Sequence, residues 1–157
     1  VISVIIPAHN EASVLGRLLS KLAPTASSDH LEVIVVANGC TDNTAAVAES
    51  FGAAVRVISL PEPSKRAALD AGDRVARGFP RIYLDADVEL RARDIAALAA
   101  ALRRPGLLAA APERRLELTG RPRLVRWYYE TWTRLPEVRS GLFGRGVIGV
   151  SAAGYQR

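Results

Sequence analysis

Two aspartates flank one small residue, Asp85-Ala86-Asp87, immediately after the apolar run Arg81 to Leu84. Carboxylates so placed can hold a hard divalent cation, because Mg2+ and Mn2+ favour oxygen ligands and keep room for water and substrate phosphates. On a two-residue period both side chains point the same way. The alternative for an isolated Asp-x-Asp is a pair of helix-capping or solvated aspartates. Three further polar clusters also follow apolar runs: Pro7-Ala8-His9-Asn10-Glu11, Ala37-Asn38-Gly39-Cys40-Thr41-Asp42 and Pro63-Ser64-Lys65-Arg66. The Asn38 amide can donate and accept hydrogen bonds to a base edge, or Asn38-Gly39 is simply a turn. Lys65 and Arg66 either neutralise phosphate opposite the metal or are surface charges. His30 reads as solvated, and neither His9 nor His30 makes a zinc spacing with Cys40.

These clusters gain meaning from the elements that carry them. Val1 to Ile6, Glu32 to Val36, Val55 to Leu60 and Arg81 to Leu84 are nearly continuous apolar runs, as expected of strands buried on both faces. Between them lie helical patterns. Asn10 to Ser13 offers a cap for a helix whose apolar face is Val14, Leu15, Leu18, Leu19 and Leu22. Thr41 is placed to cap a second, with Asp42 favourable to its dipole and Ala46, Val47 and Phe51 turned inward. A third is predicted from Ser64 to Arg77 and a fourth from Arg93 to Leu102. Strand and helix in alternation predict a parallel sheet, with ligands at the carboxyl ends of its strands. All four clusters then meet on one edge. Beyond Pro105 the pattern predicts a strand over Leu107 to Ala111, an amphipathic helix over Pro122 to Leu135 and a strand over Arg145 to Val150.

Composition narrows the class. The chain has 157 residues, 49% hydrophobic and 24% charged, which is globular usage suited to one domain. One cysteine, Cys40, forms no internal disulfide, and the longest apolar stretches fall short of the ~20 residues that span a bilayer. No signal peptide is recognisable, and the expected compartment is the cytoplasm, with contact at the inner face of the membrane. The chain contains no methionine and begins on an apolar run, which predicts a piece of a longer protein. The net charge of +5 is uneven. Residues 1–102 carry ten Lys/Arg against twelve Asp/Glu, net −2, whereas residues 103–157 carry eleven Arg against four Glu, net +7. That distribution argues against a nucleic-acid partner and leaves the basic third as a solvated face or an anion-binding one. Trp127, Tyr128, Tyr129 and Trp132 share the predicted helix with Arg123, Arg126 and Arg134. They either pack on the sheet, stack on an acceptor sugar, or form an interfacial belt at lipid headgroups.

Gly144-Arg145-Gly146-Val147-Ile148-Gly149 fits G-x-G-x-x-G, yet it leads into an apolar strand and has no acidic residue ~20 positions later, so it is not a dinucleotide fingerprint. No P-loop pattern occurs.

The segments Val4 to Glu11, Val35 to Thr44, Ser64 to Gly72 and Leu84 to Asp87 resemble, in order and spacing, the family 2 glycosyltransferases of GT-A fold. The resemblance covers the nucleotide-binding half, roughly residues 1–90, and Gly141 to Gly154 is similar to the family's later Gly-rich segment with its Ser-x-x-Gly turn. It implies an α/β fold with a mostly parallel sheet flanked by helices. Residues 1–157 would form a single domain incomplete at its C-terminal end, with 1–102 the nucleotide-binding half and 103–157 the start of an acceptor-side half. The implied activity is inverting, metal-dependent transfer of a sugar from a UDP- or GDP-linked donor to the hydroxyl of an acceptor, lipid-linked or anionic. By the same resemblance Pro7, Ala8 and Glu11 line base and ribose, and Asn10 and Gly39 belong to the two strand ends that hold the nucleoside. Asn38 reads the base, Lys65 assists the departing diphosphate, Asp85 approaches ribose or metal, and Asp87 ligates Mg2+ or Mn2+. The family's usual Asp-Asp-Gly-Ser is Ala37-Asn38-Gly39-Cys40 here, and no histidine follows Asp87. The general base normally lies beyond a segment like Gly141 to Gly154; no carboxylate follows Glu137, which places the base past Arg157. The rival reading is a non-catalytic nucleotide-sugar-binding or scaffolding domain.

Overall fold

The computed structural model describes residues 1–26, 30–112, 120, 122–132 and 146–157. Four apolar runs form parallel strands β1 (Ile2–Ala8), β2 (Leu31–Asn38), β3 (Arg56–Leu60) and β4 (Arg81–Leu84), in the order β3-β2-β1-β4. They are joined by helices α1 (Ala12–Ala26), α2 (Thr44–Glu49) and α3 (Lys65–Val75). After β4 come α4 (Ala92–Leu102), β5 (Ala109–Ala110), α5 (Arg123–Trp132), β6 (Val147–Val150) and α6 (Ala152–Tyr155). β6 inserts between β4 and β5 and is antiparallel to both, so the expected mostly parallel sheet is what forms. The strand expected over Leu107 to Ala111 shrinks to two residues. The last strand begins at Val147; Arg145, and the helical extension to Leu135, lie outside the described residues.

The apolar runs of β1 and β2 follow from which layer each residue meets; β3, at the sheet edge, is only partly covered rather than buried on both faces as its run predicts. Val4 and Ile6 of β1 and Val33 and Val35 of β2 join Leu15, Leu18, Leu19 and Leu22 of α1 and Ile95 of α4 on one face. Ile5, Ile34 and Val36 point the other way, onto Ala68 and Ala71 of α3. Small residues let α3 lie close: a side chain on Gly72 would collide with Ile5. Val14, expected on the α1 apolar face, is only partly covered.

The second helix departs from expectation. It begins at Thr44 rather than after Thr41, and Ala48 is buried where Ala46 was expected. Thr41 is committed elsewhere, as described below.

Pro7 stands in the most central strand without weakening it. Ile2 N donates across to His30 O and Ser3 N to Pro80 O, so odd-numbered positions of β1 face β4. The ladder to β4 ends at Ile5 opposite Tyr83, and at Pro7 there is no bond left for a missing N–H to forfeit. Strand order reverses between β1 and β4, the point at whose carboxyl ends open α/β sheets bind their ligands.

Candidate functional site

The loops after β1 and β2 hold each other. Asn10, in a left-handed conformation at φ 55°, accepts at Oδ1 from Thr41 N at 2.8 Å. In return Asp42 Oδ2 accepts from Ala12 N at 3.2 Å, and Thr44 Oγ1 from Glu11 N at 2.8 Å. The N–H groups of Glu11 and Ala12 at the start of α1 are therefore satisfied from the loop after β2, not by the local Asn10 to Ser13 that the sequence offered. Asp42 also accepts from Thr44, and those hydrogen bonds hold its carboxyl below the usual value. Neither Asp42 nor Thr44 was singled out as a residue organising the site; an Asp two positions before a Thr at a strand end is the signal that could have found them.

Asn38 corrects a second expectation. It is 3% exposed, its Nδ2 donates to Ala8 O at 2.9 Å, and its Oδ1 accepts from Ser64 N at 3.1 Å. An amide committed at both ends to the chain's own backbone aligns three strand ends rather than presenting a donor and acceptor to a base. Pro7 and Ala8 are likewise buried within the sheet. Gly39 turns at φ +58° against the next loop, where a side chain would collide with the Pro63 backbone. Cys40 places its thiol 3.4 Å from Ala8 O, and His9 Nδ1 donates to Asn38 O at 2.7 Å. His30 is exposed in a turn, as expected.

Ser64 caps α3, its Oγ accepting from Ala67 N at 3.2 Å, and this fixes Lys65 at the first helical position. From there Lys65 Nζ donates to Asp85 Oδ1 at 2.6 Å. Arg66 is exposed. Asp85 N donates to Gly146 O at 2.7 Å, and Val88 N to Asp85 O at 3.2 Å. The aspartates thus stand in a turn beyond β4, where the alternation expected to align them no longer applies; Asp85 is half-buried and Asp87 exposed.

The edge is acidic and crowded. Partial burial pushes the Glu11 carboxyl up, the negative charges of Asp87, Asp42 and Asp85 push it further, and His9 opposes them. Among the described residues, no three His, Cys, Asp or Glu side chains form a ready-made metal cage. Two exposed or half-exposed aspartates are nevertheless an oxygen donor set that suits Mg2+ or Mn2+ when phosphate oxygens and water complete the shell.

On the far side, Ser151 caps α6, accepting from Gly154 N at 3.2 Å and donating to Leu108 O at 3.2 Å. The expected Ser-x-x-Gly turn is therefore present. Glu113, Glu117, Arg134, Glu137 and the start of the Gly141 to Gly154 segment lie outside the described residues.

This architecture has relatives. It superimposes on a mannosyltransferase from Pyrobaculum calidifontis in complex with GDP-Man and Mn2+ with a TM-score of 0.70 at 24% identity, covering 96% of this chain and 44% of that one. It superimposes on glucosyl-3-phosphoglycerate synthase from Mycobacterium tuberculosis in complex with UDP with a TM-score of 0.68 at 25% identity, covering 96% and 56%. In sequence it is 32% identical over 119 residues to undecaprenyl-phosphate 4-deoxy-4-formamido-L-arabinose transferase from Shewanella sediminis, covering 71% of this chain and 33% of that protein. The chain spans less than two thirds of the length of each. The profile of glycosyl transferase family 2 matches residues 3–154, and with a GT-A fold beneath that match the chain belongs to this family.

Proposed function

We propose that this chain is the donor-binding part of an inverting glycosyltransferase that takes a UDP- or GDP-linked sugar and passes it to an acceptor hydroxyl, with Mg2+ or Mn2+ as cofactor. The observation that carries the reading is the convergence of Glu11, Asp42, Lys65, Asp85 and Asp87 on one sheet edge from the ends of all four parallel strands. A nucleoside would lie over the loops after β1 and β2, with Asn10, Glu11 and Gly39 beneath it, and Pro7, Ala8 and Asn38 shaping that floor from inside. Asp85 and Asp87 would hold the metal, and a metal so held offsets charge on the departing diphosphate. Lys65, whose ammonium is already at the edge, would pair with phosphate oxygens. The acceptor hydroxyl needs a base within hydrogen-bond reach, and no residue of this chain is assigned to it.

An acceptor that is lipid-linked or anionic fits the charge of the final third, and with it a peripheral contact with the membrane's anionic face.

Calorimetry tests the donor site. UDP or GDP should bind the parent with Mn2+ present and at least ~10-fold more weakly without it, since the two aspartates supply too few ligands alone. Asp87→Ala should remove the metal dependence. Parental binding by Asp87→Ala with metal present would dismiss the assignment.

A further inference from the structure

Lys65 is one of only two lysines in a chain with nineteen arginines. Its ammonium rests on a carboxylate assigned above to the metal: Nζ lies 2.6 Å from Asp85 Oδ1. The two ends of this side chain differ in freedom. Its backbone is fixed by the Ser64 cap, whereas the side chains of the pair are 63% and 37% exposed. An ion pair that open to water is weak, and a four-carbon stem can re-aim its head without moving the helix. The other charges on this edge are Glu11, Asp42 and Asp87, with His9 beside Glu11. Among the described residues no other lysine or arginine forms an ion pair with any of these carboxylates.

We propose that Lys65 is a resident counterion of Asp85 that competes with the divalent cation in the nucleotide-free protein and is drawn off by the donor's diphosphate, so that this one side chain adds to the cooperativity between metal and nucleotide. The inference rests on the reading of this edge as a metal and nucleotide-diphosphate site. An ammonium and a divalent cation repel each other at one carboxylate, so the pair opposes metal binding while no phosphate is present. A diphosphate offers Lys65 a partner of higher charge at the same sheet edge and frees Asp85 Oδ1. Whatever nucleotide gains in metal affinity, metal returns in nucleotide affinity, because the coupling is reciprocal.

Electron paramagnetic resonance of free Mn2+ reads this without turnover. Mn2+ is titrated into the parent, Lys65→Met and Lys65→Arg, alone and with UDP or GDP, after circular dichroism has established that each is folded. Lys65→Met should bind Mn2+ alone about threefold or more tightly than the parent, the size of an exposed ion pair removed from competition. The same variant should bind either nucleotide less well, and the gain in Mn2+ affinity that nucleotide brings should shrink. Lys65→Arg should stay near the parent. Parental Mn2+ affinity in Lys65→Met, or undiminished coupling between Mn2+ and nucleotide, would overturn the proposal and leave the metal site standing. Absence of Mn2+ binding in every form, even with nucleotide, would overturn the site reading and this proposal together.

Discussion

Glu32 shows how one carboxylate holds the end of the molecule opposite the proposed donor site. It is buried, and it accepts from Ser3 Oγ at 2.6 Å and from Arg77 Nε at 2.9 Å, as well as from the Arg77 backbone. Burial pushes its carboxyl up, but the hydrogen bonds from Ser3 and Arg77 and the Arg77 charge outweigh burial and hold it below its ordinary value. A depressed carboxyl favours the fold in its charged form. Its contribution is complete above the unfolded value of about 4.3 and is lost as pH falls through the lower folded value. Thermal melts between pH 3 and 7 should show the midpoint falling below about pH 4.3. Glu32→Gln should cost about 1–3 kcal/mol at pH 7 and flatten the acid limb, since an amide keeps some bonds but not the charge. An acid limb unchanged in Glu32→Gln would show that another group carries the effect. In the sequence Glu32 is only a polar residue entering an apolar run; its partners lie 29 and 45 positions away.

Helix α5 is the element whose reading changed most. Packing on the sheet was the simplest expectation for its aromatics, yet Leu124 is 75% exposed and Trp127 64%, and Tyr128 is exposed beside them. Spacings of three and four residues place these three on one stripe. No helix among the described residues is long and apolar enough to cross a membrane. An apolar stripe flanked by arginines has the pattern of a helix that lies in the plane of an interface, which motivates a test. The arginine excess of residues 103–157 complements an anionic lipid surface. Flotation with vesicles containing phosphatidylglycerol should recover the protein at low salt, with recovery falling as salt rises and in vesicles of phosphatidylcholine alone. Trp127→Ala should reduce recovery several-fold through lost apolar burial. Equal recovery on neutral and anionic vesicles, or none on either, would return the arginines to a solvated face.

For the molecule as a whole, the sheet joins its two portions through β4 and β6. Arg81 at the start of β4 pairs with Asp73 of α3 at 2.7 Å and packs against the rings of Phe79 and Tyr155, 4.6 and 4.4 Å from their centroids, which are themselves 5.4 Å apart. The C-terminal α6 is thereby clamped to the parallel part of the sheet, and Gly146, ahead of β6, reaches Asp85 from the other side. The proposed donor site is braced from both directions by residues within 1–157. Transfer is a different matter, since a positioned base contributes ~100- to 10,000-fold and the resemblance places that base downstream of the Ser-x-x-Gly turn. Residues 1–157 should therefore bind UDP or GDP with Mn2+ yet turn over UDP-glucose or GDP-mannose at least ~100-fold more slowly than a full-length family 2 glycosyltransferase assayed beside them. Radiolabelled-donor assays over phosphoglycerate and polyprenyl-phosphate acceptors would measure this. Comparable rates from both would put the base inside this chain.

Fold class and the gathering of polar clusters at one end of the sheet were already determined by the sequence, because both follow from local pattern. Unbroken apolar runs such as Val33 to Val36 specify strands covered on two faces, the i, i+3, i+4, i+7 leucines of α1 specify its buried side, and polar residues gather where the runs stop. What the tertiary structure alone decided was which polar group serves which neighbour. Asn38 turned inward to Ala8 and Ser64, Asp42 crossed to α1, Lys65 settled on Asp85, and Leu124 and Trp127 of α5 stayed largely exposed. Each of those choices depends on residues 20 to 30 or more positions apart meeting at a sheet edge or failing to meet at all. Hydrogen-bond satisfaction is settled by that proximity, and local sequence pattern carries no record of it.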